Sequence, residues 1–214
     1  MYLECGTKRV FACALNWPGW CRSGRTEELA LDSLGSYGAR YALVTAQANV
    51  EFKGLQSPRF EVRERLVGNA TTDFGAPGVV PSHDHEQLTG REASRLVSIL
   101  RAAWGVLDRV LEVSPAELRK GPRGGGRDRD AIEDHVVAAE YAYARKLGLR
   151  GFRQPPASDL QAVESMRDAI AEALLDADRR QLERAWPPRY AARRIAWHLL
   201  DHAWEIEDRS TPEV

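Results

Sequence analysis

The stretch RYAARRIAWHLLDHAWEIEDR, Arg189 to Arg209, decides how the rest of the chain is read. It contains no proline or glycine, is rich in Ala, Leu, Arg and Glu, and repeats its apolar residues at helical spacing. It therefore reads as one continuous helix of about five turns or more, with Pro187 and Pro188 setting its start. Within it His198 and His202 stand four residues apart. That spacing puts both imidazoles on one helical face with Cβ atoms roughly 5–6 Å apart, near enough to share one metal ion.

Three further helical segments precede it. Residues 91–113 carry Leu96, Ile99, Leu100, Ala103, Leu107, Val110 and Leu111 as an apolar stripe at i, i+3, i+4 spacing. A second helix is expected from about Asp130 to Leu147, ended by Gly148. A third starts at Ser158, where Ser158 and Gln161 read as a capping box, and continues to about Leu182. Ser114 and Glu117 suggest a further capping box for a short turn, and GPRGGGRDRD, 121–130, reads as a Gly/Arg loop. Four long amphipathic helices with mostly short connections make a four-helix bundle the expected architecture, and metal sites in bundles are built from inward side chains on facing helices.

The second helix supplies the next histidine. His135 lies in its first turns beside Ala138, Ala139 and Ala142, small residues that leave room for an ion. His135, His198 and His202 together give three imidazoles and an open position, the ligand count of a catalytic zinc site rather than of a closed structural one. A histidine early in EDHVVAAEYAYARKLG and an HxxxH pair in IAWHLLDHAWEIEDR resemble the DinB/YfiT-like superfamily of metal-binding four-helix bundles, over about residues 88–210. By that resemblance the three histidines are the metal ligands. The resemblance also implies a divalent ion, zinc or else nickel or another metal, and a reaction among thiol-dependent S-transfer, isomerisation and hydrolysis, with a low-molecular-weight thiol as co-substrate.

Other residues are candidates around that centre. Asp201 and Glu205 lie near the same face, either orienting an imidazole, acting as a base, or pairing with Arg194 and Arg209 on a solvated surface. His83 and His85, in SHDHE, offer extra ligands or an acid/base if their segment folds over the bundle, and otherwise are solvated linker histidines. Arg123, Arg127 or Arg129 from the Gly/Arg loop would suit a carboxylated substrate, because the guanidinium fork binds carboxylates bidentately. That loop has neither the lysine-serine ending nor the preceding strand of a P-loop. Tyr141 and Tyr143 cannot both face inward, and Tyr141 is taken as the pocket residue. Trp197 and Trp204 read as packing residues.

The first 70 residues differ in character. YLECGTKRVFACA, 2–14, alternates around a Gly-Thr-Lys turn and reads as a β-hairpin. A Pro-Gly turn, a short strand and a helix capped by Thr26 follow, then strands over 49–52 and 60–67. The strand VFACAL, the turn Trp17-Pro18-Gly19, Cys21 to Gly24 and the helix entry RTEELALDSL resemble the HicB-like antitoxin fold over about the first 45 residues. These 214 residues show no obvious DNA-binding module beside it. NATTDFGAPGVVPSHD, 69–84, reads as a linker. The expected organisation is α+β: a HicB-like β-rich unit over 1–70, a linker over 71–87 and a DinB-like bundle over 88–214.

Composition narrows the class. The chain has 214 residues, 43% of them hydrophobic, and a formal net charge of -1; its mean hydropathy is -0.44. No apolar run approaches the roughly 18 residues of a membrane span and the N-terminus lacks a signal-peptide layout, so the expectation is a cytoplasmic protein without membrane contact. Near-neutral charge argues against nucleic acid as a partner, leaving a small-molecule substrate, with a homodimer compatible. Cys5, Cys13 and Cys21 are odd in number and lack CxxC spacing, so they read as small core residues. The reading that emerges is a divalent-metal-dependent enzyme. The alternative is a non-catalytic binding or scaffold protein that uses the N-terminal unit for a protein partner.

Overall fold

The computed structural model describes residues 1–52, 60–121, 125–176 and 185–210. It is a mixed α+β fold in which a small N-terminal sheet leads into helices. The hairpin forms as the alternation predicts, β1 (Tyr2–Cys5) and β2 (Val10–Cys13) antiparallel, with β3 (Cys21–Gly24) beside β2. Gly19, at φ +90, turns the chain between β2 and β3 while lying against Ala196 and Leu200, so a side chain there would meet both the backbone requirement and the C-terminal helix. A fourth strand, β4 (Glu64–Val67), runs parallel to β1 and completes the order β3-β2-β1-β4.

Several N-terminal expectations are corrected. The predicted helix is two, α1 (Glu27–Ser36) and α2 (Gly38–Gln47), broken at Tyr37 between two glycine-containing turns. Thr26 caps α1 by accepting the Leu29 N–H. Residues 49–52 form no strand: Asn49 sits at φ 54 just beyond α2. Phe52 joins Trp17, Trp20 and Tyr41 in an aromatic cluster instead of a ladder. In the segment 60–67 only the last four residues pair. The expected linker is folded against the sheet: Asn69 and Thr72 form a capping box on α3 (Ala70–Phe74). Buried Glu4 accepts hydrogen bonds from the Thr72 hydroxyl and from the N–H groups of Gly78 and Val79. A carboxylate inside a sheet needs such donors, and a polar glycine-rich segment supplies them.

The four long helices are α4 (Gly90–Val113), α5 (Arg129–Lys146), α6 (Leu160–Leu175) and α7 (Pro188–Ser210). Contacts run α4 to α7, α7 to α5, α5 to α6 and α6 to α4, which closes a four-helix ring. Thr89 and Glu92 form the capping box of α4, a signal the sequence carries in TGRE. Ser114 ends α4 rather than starting a turn, and Asp159, not Ser158, caps α6 by accepting the Ala162 N–H. The predicted extension of α6 toward Leu182 lies outside the described residues beyond Asp176. No described helix is long and apolar enough to cross a membrane.

α7 is the axis of the molecule. Every residue from Arg189 to Leu200 is buried, because the sheet covers the face of α7 that the bundle leaves free. Trp197 packs edge-on against Phe11 of β2, and Trp204 lies tilted against Tyr37. Arg193 forms a buried ion pair with Asp84 and donates to the Leu15 carbonyl, while Arg189 pairs with Glu92 at 3.0 Å. Asp84, before α4, and Glu92, in its first turn, thus reach across to neutralise two of the buried arginines of α7.

Candidate metal centre

α5 and α7 bring His135, His198 and His202 together, so that one potential ligand atom from each lies within 4.8 Å of the other two. Among the described residues this is the one such group of three or more His, Cys, Asp or Glu. The Nε2 atoms of His135 and His198 are 3.2 Å apart. Two nitrogens bound to one tetrahedral zinc at 2.0–2.1 Å stand roughly 3.3 Å apart, so the spacing already suits a shared ion. The rings of His198 and His202 are 4.6 Å apart, as expected of neighbours one turn along α7.

Electrostatics disfavour the charged form of two of these imidazoles. His198 is 7% exposed, and burial pushes its pKa well below the ordinary imidazole value, with His202 and Arg194 adding to the effect. His135 is lowered too, first by burial and then by His202 and Arg127. A neutral imidazole keeps the lone pair that a metal would need. Glu205 orients the third ring: His202 Nδ1 lies 2.9 Å from Glu205 Oε2, and Arg209 Nη1 holds the other carboxylate oxygen at 2.8 Å. With Nδ1–H given to a carboxylate, Nε2 of His202 is left for the site. The hydrogen bond from His202, with Arg209 behind it, holds the Glu205 carboxyl below its usual range.

The remaining candidates separate. Asp201 turns away from the imidazoles and pairs with Arg22 of β3 at 2.7 Å. Arg194 does not pair with it; its guanidinium lies 4.6 Å from the Trp197 ring centre and 5.4 Å from that of Tyr143. His83 contacts Glu86 at 3.0 Å and His85 is exposed, both on a 3-10 turn, Ser82–His85, whose buried member is Asp84. Neither belongs to the imidazole cluster. Tyr141 packs on Phe152, whereas Tyr143 stands edge-on to His198 with ring centres 5.8 Å apart. Arg127 is exposed and bears electrostatically on His135 and His198. Arg129 bonds the Ser114 carbonyl and Asp130, and lines a separate cleft of about 520 Å³ beside Leu107 and Val136. Arg123 lies outside the described residues.

Arg194 and Tyr143 are the residues that sequence reading missed. Arg194 is 9% exposed, its Nη1 has no hydrogen-bond partner, and among the described residues it has no acidic partner. The signal was present: Arg194 sits four residues before His198 on the same helical face. Comparison of the chain with protein-family models, curated proteins and solved structures finds no match.

Proposed function

We propose that the protein is a divalent-metal-dependent enzyme whose ion is held by His135, His198 and His202, and that it acts on a small anionic substrate. The observation carrying this reading is the convergence of three imidazole nitrogens, drawn from two helices, within 4.8 Å. Two further features fit. The fold favours the neutral form of His135 and His198, and a carboxylate fixes the His202 ring. A bound zinc or similar ion would supply Lewis-acid chemistry, polarising a carbonyl or lowering the pKa of a thiol or water.

The chain's own residues define the rest of the site. All three ligands are uncharged, so the ion's double charge is uncompensated by them, and Arg194 and Arg127 add positive charge nearby. A buried guanidinium without an acid is costly. An anionic substrate group, a carboxylate or a thiolate, offsets it, with Arg194 as its partner. Burial raises the Tyr143 phenol above its ordinary pKa, so at neutral pH it stands protonated beside His198 as a hydrogen-bond donor. S-transfer from a low-molecular-weight thiol, isomerisation and hydrolysis all use this arrangement, and the resemblance to DinB/YfiT-like bundles implies a reaction among these three.

Thermal denaturation with added zinc tests the proposal. Binding to the native state alone stabilises by about 2.7 kcal/mol at a hundredfold excess over Kd. Zinc should raise the Tm, and oxalate should raise it further in the zinc-loaded wild type but not in Arg194→Gln. An unmoved Tm with zinc contradicts the metal reading. An equal oxalate response in both proteins contradicts the role of Arg194.

A further inference from the structure

The two buried cysteines of the sheet occupy directly opposed positions, Cys13 on β2 and Cys21 on β3. The next pair along, Ala14 and Trp20, is joined by the Ala14 N–H to the Trp20 carbonyl at 3.0 Å. Hydrogen-bonded and non-hydrogen-bonded pairs alternate along an antiparallel ladder, so Cys13 and Cys21 form a non-hydrogen-bonded pair, the kind whose Cα atoms approach to about 4.5 Å. A disulfide spans Cα separations of about 4.4–6.8 Å, so the backbone suits one here. The thiols already touch, with their sulfurs 2.7 Å apart. Both are free cysteines, 2% and 5% exposed, packed with Tyr2, Phe11 and Trp197.

We propose that Cys13 and Cys21 are a redox couple, a dithiol that a low-molecular-weight disulfide oxidises to a cross-strand disulfide in the folded protein. One protein thiolate attacks a sulfur of the small disulfide, forming a mixed disulfide and releasing one small thiol. The second cysteine, having lost its proton, attacks the protein sulfur of that mixed disulfide. The Cys13–Cys21 bond forms as the second small thiol leaves. Two protein thiols have then given up two hydrogens, and the small disulfide has become two thiols.

The fold offers a route of access. β3 is an edge strand of the sheet. Local fraying of an edge opens Cys21 without unfolding the bundle, and its thiolate is scarce until that opening occurs, because burial raises its pKa. Exchange is therefore slow. The oxidised pair would staple β2 to β3 against Trp197, the residue next to His198.

Cys5 serves as an internal control, since it is partly exposed, touches Glu27 and packs with the other core cluster. The folded wild-type protein is equilibrated across a series of oxidised-to-reduced glutathione ratios. It is then acid-quenched, alkylated in denaturant, and read by intact mass and peptide mapping. The expected result is a Cys13–Cys21 linkage appearing at a defined ratio, with Cys5 alkylated or carrying glutathione. The proposal is overturned if Cys13 and Cys21 are both alkylated at the most oxidising ratio while Cys5 carries glutathione, or if any linkage found involves Cys5.

Discussion

In its first turns α7 buries Arg189 and Arg193, and the chain around α4 supplies an acid to each, Glu92 and Asp84. Within one further turn Arg194 and His198 are equally buried, yet Arg194 Nη1 and His198 Nδ1 have no hydrogen-bond partner. Buried polar atoms without a partner occur in both regions, Arg189 Nε and Arg193 Nε among them, so the difference lies in the acid: the same helix matches its buried arginines with carboxylates in one region and, among the described residues, not in the next. Buried charges are ordinarily paired, so the first region reads as structure and the second as a place for a ligand.

The largest expected effect falls in the first region. Asp84→Ala leaves the Arg193 guanidinium buried without its acid, and urea denaturation should register a loss of about 3–5 kcal/mol. A loss below about 1 kcal/mol would mean that this half of α7 does not depend on internal pairing.

Glu205→Gln probes the second region. Weakening the hold on His202 Nδ1 should lower metal affinity by about 10–100-fold while leaving urea stability of the metal-free protein close to wild type. Competition with a chromogenic chelator measures the first quantity. A large stability loss with unchanged affinity would move Glu205 into the structural class.

The smallest effect concerns Glu92, which caps α4 and faces Arg189. Hydrogen bonds from the Thr89 hydroxyl and N–H, with Arg189 beside them, pull its pKa down to about 2. A carboxylate depressed in the folded state contributes stability that is present above its unfolded pKa and lost as pH falls through the folded one. The Glu92 side chain is 43% exposed, unlike fully buried Asp84, and Gln keeps a hydrogen-bonding group beside Arg189, so Glu92→Gln should cost less than about 1 kcal/mol at pH 7. The difference from wild type should shrink between about pH 4.3 and pH 2. Urea titrations at pH 7, 4 and 3 follow it, and a pH-independent difference would assign the effect to packing instead.

Much of the site was legible because it rests on helical periodicity. The i, i+4 spacing of His198 and His202 and the place of His135 among small residues both follow from 3.6 residues per turn. What was not legible depends on which element covers α7. Asp201 reads as a helix-face acid until β3 brings Arg22 to it. Residues 69–84 read as a linker because glycine and proline mark irregular backbone, which says nothing of whether that backbone folds against a buried carboxylate such as Glu4. Tyr143 rather than Tyr141 faces His198 because the rotation of α5 is set by its contacts with α6 and α7, a tertiary fact. Short strands such as β4 depend on a parallel partner far away in sequence, and local pattern overestimates them.

Elemental analysis of purified wild type beside His135→Ala distinguishes a metal centre from three packed histidines. The wild type should carry near one equivalent of a divalent metal, and the variant should lose it. Metal-free wild type that stays metal-free after dialysis against zinc would contradict the metal centre, and would make the three histidines part of the packing between α5 and α7.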